Sequence, residues 1–295
     1  MPTAKSTVIL RIVLSAAVVS VFSWAIFFYP KPENKRPKLS PEESRQLLDQ
    51  SKMLLKDHKY QEALLPTQKL YQAYPDDHIY IEQMAEIYDQ MHQYKDEAEY
   101  WEKYRQHAPR PIAACPQIGM AYQKEGLSKE ALAAFEWCLS LDPANSDSIY
   151  NLAHALERDG QYDRAAELYQ RGLQLSPNYT DLQVGLARAQ IHQDKLALAE
   201  ESASNVLKQS PENTDALFVL GMAYYRGGDL VKARLNLEKG VKKADEDTDF
   251  HLLLGKIAEK EKKIPEAIEH YTRAAELSPN NKEIRAQLDE LKAMK

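Results

Sequence analysis

The sequence predicts an all-α solenoid of seven stacked helix pairs, closed by a capping helix and preceded by a membrane anchor. Three observations carry the prediction. First, Pro75, Pro109, Pro143, Pro177 and Pro211 recur at one constant interval. Pro279 follows after a double step, with Asp245 where the missing proline would stand. A fixed period of this size, about 34 residues, marks a stacked repeat. Second, small residues recur in the same register: Ser51, Ala85, Gly119, Ala153, Ala187, Gly221 and Gly255 in one column, and Ala63, Ala131, Ala165, Ala199, Ala233 and Ala267 in another, with Glu97 as its exception. Third, residues 12–29 carry no charged side chain.

Residues 1–11 form a short basic tail with Lys5 and Arg11. The run 12–29, "IVLSAAVVSVFSWAIFFY", spans roughly 27 Å as a helix, about the thickness of a bilayer core. Trp24 and Tyr29 lie toward one end, where amphipathic rings favour the membrane interface. Apolar residues continue past Ser23-Trp24-Ala25, which makes an uncleaved anchor the expectation rather than a removed leader. Basic residues flank both ends, and the expected orientation leaves the amino terminus in the cytoplasm. A bacterial inner-membrane protein with periplasmic repeats follows. Residues 30–43 hold four prolines with mixed charge and read as a stiff, solvated linker.

Residues 44–281 hold the repeats. In each one, a small residue on both helices lets the backbones approach. Large residues fill the space beside them: Leu152, Leu186, Leu220 and Leu254 on first helices, and Trp101, Phe135, Tyr169 and Tyr271 on second helices. Ser146-Asp147, Thr180-Asp181, Thr214-Asp215 and Thr248-Asp249 are expected to open first helices, the hydroxyl capping a free N–H and the aspartate facing the helix dipole. Gly126, Gly160 and Gly228 are expected to close first helices in left-handed conformation. Pro66 falls inside a second helix and is expected to bend it. Gln183, Gln190 and Ala203 predict loose packing in the fifth repeat. Residues 282–295 place Ile284, Leu288 and Leu291 on one stripe of a charged helix, as a terminal cap requires.

This unit resembles the tetratricopeptide repeat in its period, small residues, aromatic fillers and terminal proline, across residues 44–281. The resemblance implies antiparallel helix pairs in a right-handed superhelix whose concave face, lined by first helices, binds peptides or partner proteins. It places Tyr150, Asn151, His154, Arg158, Val184, Arg188, His192, Phe218, Met222, Tyr225 and Arg226 on the inward positions of repeats four to six. Aromatic, methionine and arginine side chains together suit an interface. The arginines suit an acidic peptide or a carboxylate. Ordinary solvated groove walls are the alternative.

Composition narrows the function. The net charge is −6, and residues 1–40 carry +5 of it. The remaining body, at −11, is a poor partner for nucleic acid. Eight histidines show no metal spacing, and no catalytic triad, phosphate loop or paired carboxylate motif stands out. No cofactor and no enzymatic activity are therefore expected. Cys115 and Cys138 fall at facing ends of the third hairpin. They are either two small buried hydrophobes or, in an oxidising compartment, a disulfide. The expected role is a membrane-tethered scaffold or chaperone-like adaptor that assists assembly of envelope complexes. A non-catalytic accessory subunit of an envelope enzyme or export complex, and a cytoplasm-facing adaptor, are the alternatives.

Overall fold

The computed structural model describes residues 38–293, which form fifteen α-helices and one 3-10 turn. The expected anchor at 12–29 lies outside the described residues. Among the described residues, no helix is long and apolar enough to cross a membrane. The chain divides into two compact units, one ending at Pro75 and one starting at Asp76.

The first unit holds α1 (Pro41–Lys56) and α2 (Tyr60–Ala73). Helix α1 starts within the expected linker, because Ser40 and Glu43 close a reciprocal capping box in front of Pro41. Helix α2 continues through Pro66 to Ala73. Two buried hydroxyls, Ser51 and Thr67, share a 2.6 Å hydrogen bond between these helices.

The second unit holds α3 (His78–Gln90), α4 (Tyr94–His107), α5 (Cys115–Glu125), α6 (Ser128–Leu141), α7 (Ser146–Arg158), α8 (Tyr162–Leu175), α9 (Thr180–His192), α10 (Leu196–Gln209), α11 (Thr214–Gly227), α12 (Leu230–Val241), α13 (Thr248–Lys260), α14 (Ile264–Leu277) and α15 (Lys282–Ala293). Consecutive helices pack as hairpins. Successive first helices, α5, α7, α9, α11 and α13, also approach one another, whereas successive second helices do not approach as closely. First helices therefore form the tighter layer.

The small-residue columns set the helix separation. Ala85, Ala153, Ala187, Ala131, Ala165, Ala199, Ala233 and Ala267 are all buried. A methyl group at Gly119 would collide with the ring of Phe135, and one at Gly221 would lie 2.6 Å from Leu237. The large fillers Phe135, Tyr169 and Tyr271 are fully enclosed. Ile284, Leu288 and Leu291 bury the stripe of α15 against α14.

Two expectations are revised. The first-helix caps lie one residue earlier than Ser146, Thr214 and Thr248. Asn145, Asn213 and Asp247 have the extended backbone a cap needs, and their side chains accept from Ser148 N, Ala216 N and Asp249 N. The hydroxyls are already helical. Ser146 instead bonds Ser176 at 2.7 Å, and Thr248 bonds Ser278 at 2.9 Å, tying each first-helix start to the end of its second helix. Thr180 follows Tyr179, which supplies no side-chain cap. The left-handed corner is also wider than its glycines. Gly126, Gly160 and Gly228 have φ of 79–85°, and His58, His92, Asp194 and Lys262, in the same column, have φ of 57–60°.

In the fifth repeat, Gln190 is buried and accepts from Ser202 Oγ at 3.2 Å, while Ala203 is fully enclosed. Glu97 occupies the alanine column, only 2% exposed, and Ala98 beside it is buried as well. Burial raises the Glu97 carboxyl from its ordinary range to about 7, despite Lys124 Nζ at 3.6 Å.

Candidate functional site: the inner layer of repeats four to six

The inner layer is built from α7, α9 and α11. Side chains of one first helix meet those of the next, as Glu157 of α7 meets Arg188 of α9. Tyr150, on α7, is half-buried. Its ring stacks on His154 at 5.8 Å and on Tyr179 at 6.2 Å between centroids. Tyr179 donates to Asp147 at 2.6 Å, which fixes that end of the stack. Asn151 is half-buried on the same helix.

Arg188, on α9, is held rather than free. Its Nε donates to Glu157 Oε1 at 2.7 Å and its Nη2 to Oε2 at 3.2 Å, and Tyr169 donates to the same carboxylate at 2.9 Å. Burial alone would lower the Arg188 pKa, but the hydrogen bonds and charge of Glu157 more than offset it and raise it. Burial raises the Tyr169 hydroxyl, and Glu157 adds to the rise. His154 is lowered, first by burial and then by Arg188, with Arg158 adding to the effect and Glu157 opposing it. A neutral ring stacked on Tyr150 results near neutral pH.

Position 158 belongs to a column of mostly basic residues at the last turn of first helices, which after Lys56 and Gln90 is occupied by five: Lys124, Arg158, His192, Arg226 and Lys260. Four of the five reach back to the preceding repeat. Lys124 pairs with Asp89. His192 stacks flat on Tyr162, 4.0 Å apart at 2°. Arg226 donates to Ile191 O at 2.5 Å and lies 3.4 Å from Asp194. Lys260 sits 4.1 Å over the ring of Tyr225. Such contacts suit cations at helix C-termini. Arg158 is exposed and, among the described residues, makes no hydrogen bond or ion pair. The place of Asp194 one repeat earlier is taken by Gly160, and two earlier by Gly126, so the acid that pairs with Arg226 has no counterpart there for Arg158.

The structure brings some of the expected residues together and not others. Tyr150, His154 and Arg188 form one cluster. Val184 is buried in the core, 3% exposed, and offers nothing to a ligand. Phe218 packs edge-on against Phe250 at 5.2 Å, and Met222 lies half-buried against the adjoining cores. Sequence reasoning missed Glu157 and Tyr179, which organise the cluster. The available signal was the Glu157/Tyr169 pair, repeated as Glu259/Tyr271 at the same spacing of twelve.

Outside this layer, Cys115 and Cys138 are joined as a disulfide with Cα atoms 5.5 Å apart. No set of three or more metal-ligating side chains is placed to hold an ion among the described residues.

Comparisons with known proteins agree with this geometry. Four family models, each described as tetratricopeptide repeat, match residues 113–145, 134–167, 156–203 with 193–257, and 248–281. Together they span more than half of the chain. The chain is a tetratricopeptide-repeat protein. Its relatives are in general protein–protein interaction scaffolds, and the family is generally non-catalytic. Among solved structures, a tetratricopeptide repeat protein from Parabacteroides merdae is similar over 85% of this chain and 99% of its own, with TM-score 0.75 and 13% identity. PilW, a type IV pilus biogenesis factor, is similar over 72% of this chain and 98% of its own, with TM-score 0.61 and 20% identity. A thermophilic tetratricopeptide-repeat protein of Thermus thermophilus covers 61% of this chain and 98% of its own, with TM-score 0.56 and 19% identity. At these identities the likeness is one of fold. No curated protein sequence matches this tetratricopeptide-repeat chain.

Proposed function

We propose that this chain is a membrane-tethered scaffold that holds a short acidic segment of a partner protein against the first helices of repeats four and five, as an aid to assembly of an envelope complex. The observation that carries the reading is Arg158. Among the described residues it is the arginine of its column without a partner in the chain, and it lies one helical turn from His154 and the ring of Tyr150 stacked there. A guanidinium already neutralised by an internal carboxylate, such as Arg188, adds little attraction. An unpaired one beside an aromatic platform suits a carboxylate and its flanking apolar side chain. The uncharged run at 12–29 supports the tether. The Cys115–Cys138 bond supports an oxidising compartment outside the cytoplasm.

The test uses the full chain and fluorescein-labelled octapeptides of Leu, Tyr and Glu, with matched peptides carrying Lys in place of Glu. Fluorescence anisotropy is expected to show tighter binding of the Glu peptides. Arg158→Glu should weaken it at least tenfold while helical content is unchanged. Equal binding of both peptide sets, or binding unaffected by Arg158→Glu, defeats the groove reading. Protease digestion of the repeats in spheroplasts checks the compartment independently. Protection until the inner membrane is lysed would place the repeats in the cytoplasm.

A further inference from the structure

The chain departs from its proline period once, at Asp245, and the departure has a structural counterpart. Asp245 lies in the connection between α12 and α13. Arg273, on α14, donates to its carboxylate at 3.0 Å. His251, on α13 and 6% exposed, places Nε2 3.1 Å from the Asp245 backbone oxygen and 3.5 Å from its Oδ1. The other nitrogen of the same ring, Nδ1, lies 3.3 Å from Nδ1 of His270, on α14.

These contacts fix where the protons sit. A carbonyl oxygen only accepts, so His251 Nε2 carries the hydrogen. A neutral imidazole then has a bare Nδ1, and His270 Nδ1–H must donate to it. His270 Nε2 is left bare. Its ring lines a cleft with Glu269, Thr272, Arg273 and Glu276. One proton added to the pair keeps every contact, because the ring that stays neutral can present a bare Nδ1. A second proton, which charges both rings, sets one N–H against another across the same short gap and breaks the pair. We propose that His251, His270 and Asp245 form a proton-operated latch, which holds the 242–247 connection on the last helix pair and releases it in mild acid.

The surroundings favour the neutral pair. His270 is lowered by burial first and by His251 second, with Arg234 of α12 adding to the effect and Glu266 and Glu269 opposing it. Asp247 and Asp249 stand at the start of α13, and Glu276 and Arg273 stand on α14. The sign follows from the depressed value in the folded chain. Well above pH 6.5 the released and held states bind the same protons. Below it the released state binds more, so holding weakens as pH falls.

The test is hydrogen exchange of the full chain at pH 7.5 and 5.5, corrected for intrinsic rate. Amides in 242–252 are expected to open more in acid, by up to tenfold per pH unit for each proton taken up. Amides in 180–227 should stay level. His270→Asn keeps a donor toward His251 and removes the proton site, and should flatten the response. The double variant His251→Gln/His270→Asn should remove it. Equal exchange at both pH values overturns the latch, as does an acid response that survives in the double variant. Nitrogen-15 spectra of the parent histidines check it without substitution. His251 in the Nδ1–H form at pH 7.5 also overturns it.

Discussion

Replacing Glu97 by glutamine should stabilise the protein, and the gain should grow with pH. Glu97 is 2% exposed, and its Oε2 has no hydrogen-bond partner. Lys124, 3.6 Å away, is already engaged by Asp89, so it compensates the buried charge only in part. The folded-state value, about 7, lies above the ordinary 4.5. A carboxyl raised in this way is most favourable below pH 4.5 and loses its contribution as pH climbs to 7. At about 1.4 kcal/mol per pH unit, ionisation costs the native state about 2 kcal/mol between pH 5 and pH 8. Glutamine keeps the shape and does not ionise. Urea unfolding followed by circular dichroism should show Glu97→Gln ahead of the parent by about 2 kcal/mol more at pH 8 than at pH 5. In parallel, Lys124→Met should cost more at pH 8 in the parent than in the Glu97→Gln background. A gain independent of pH, or a loss at pH 8, refutes the reasoning: the carboxylate would then be compensated in the native state.

Reduction of Cys115–Cys138 reopens a loop of sequence separation 23 and should cost about 3 kcal/mol by the chain-entropy relation, read as a fall in the urea midpoint with dithiothreitol. Cys115→Ser should expose one titratable thiol per chain, where the oxidised parent exposes none. Gly185→Ala should lower stability by about 1–3 kcal/mol, measured by thermal unfolding, because its methyl meets the buried ring of Tyr169. Lys262→Gly should raise stability by about 1 kcal/mol, since Lys262 holds φ near 60° in a corner that glycine adopts without strain.

Much of the fold was legible because the repeat writes its own register. Prolines, small columns and aromatic fillers each predicted a packing position, and Ala85, Ala153, Phe135 and Tyr169 occupy it. The corners were only half legible. Glycine announces a left-handed residue, whereas His58, His92, Asp194 and Lys262 adopt the same conformation under the pull of the flanking helices. The caps were misread by one place, because both Asn145 and Ser146 are cap-forming types and only backbone angles separate them. The groove was less legible still. Periodicity says which face a side chain takes, but not whether a neighbour in the preceding repeat has already claimed it, as Glu157 claims Arg188. Arg158 and Arg226 share a column and a chemical type. What separates them is Asp194, whose counterpart before Arg158 is a glycine.

The left-handed corner recurs at 58, 92, 126, 160, 194, 228 and 262. It makes the chain modular at that joint. Excising one full period from corner to corner, for example residues 161–194, joins a left-handed residue to the same following step and returns every later column to its place. Removing one residue fewer would turn each downstream helix by about 100°, presenting polar side chains to the seam. Growth and shrinkage of this array by whole units are therefore sterically permitted, while intermediate lengths are not.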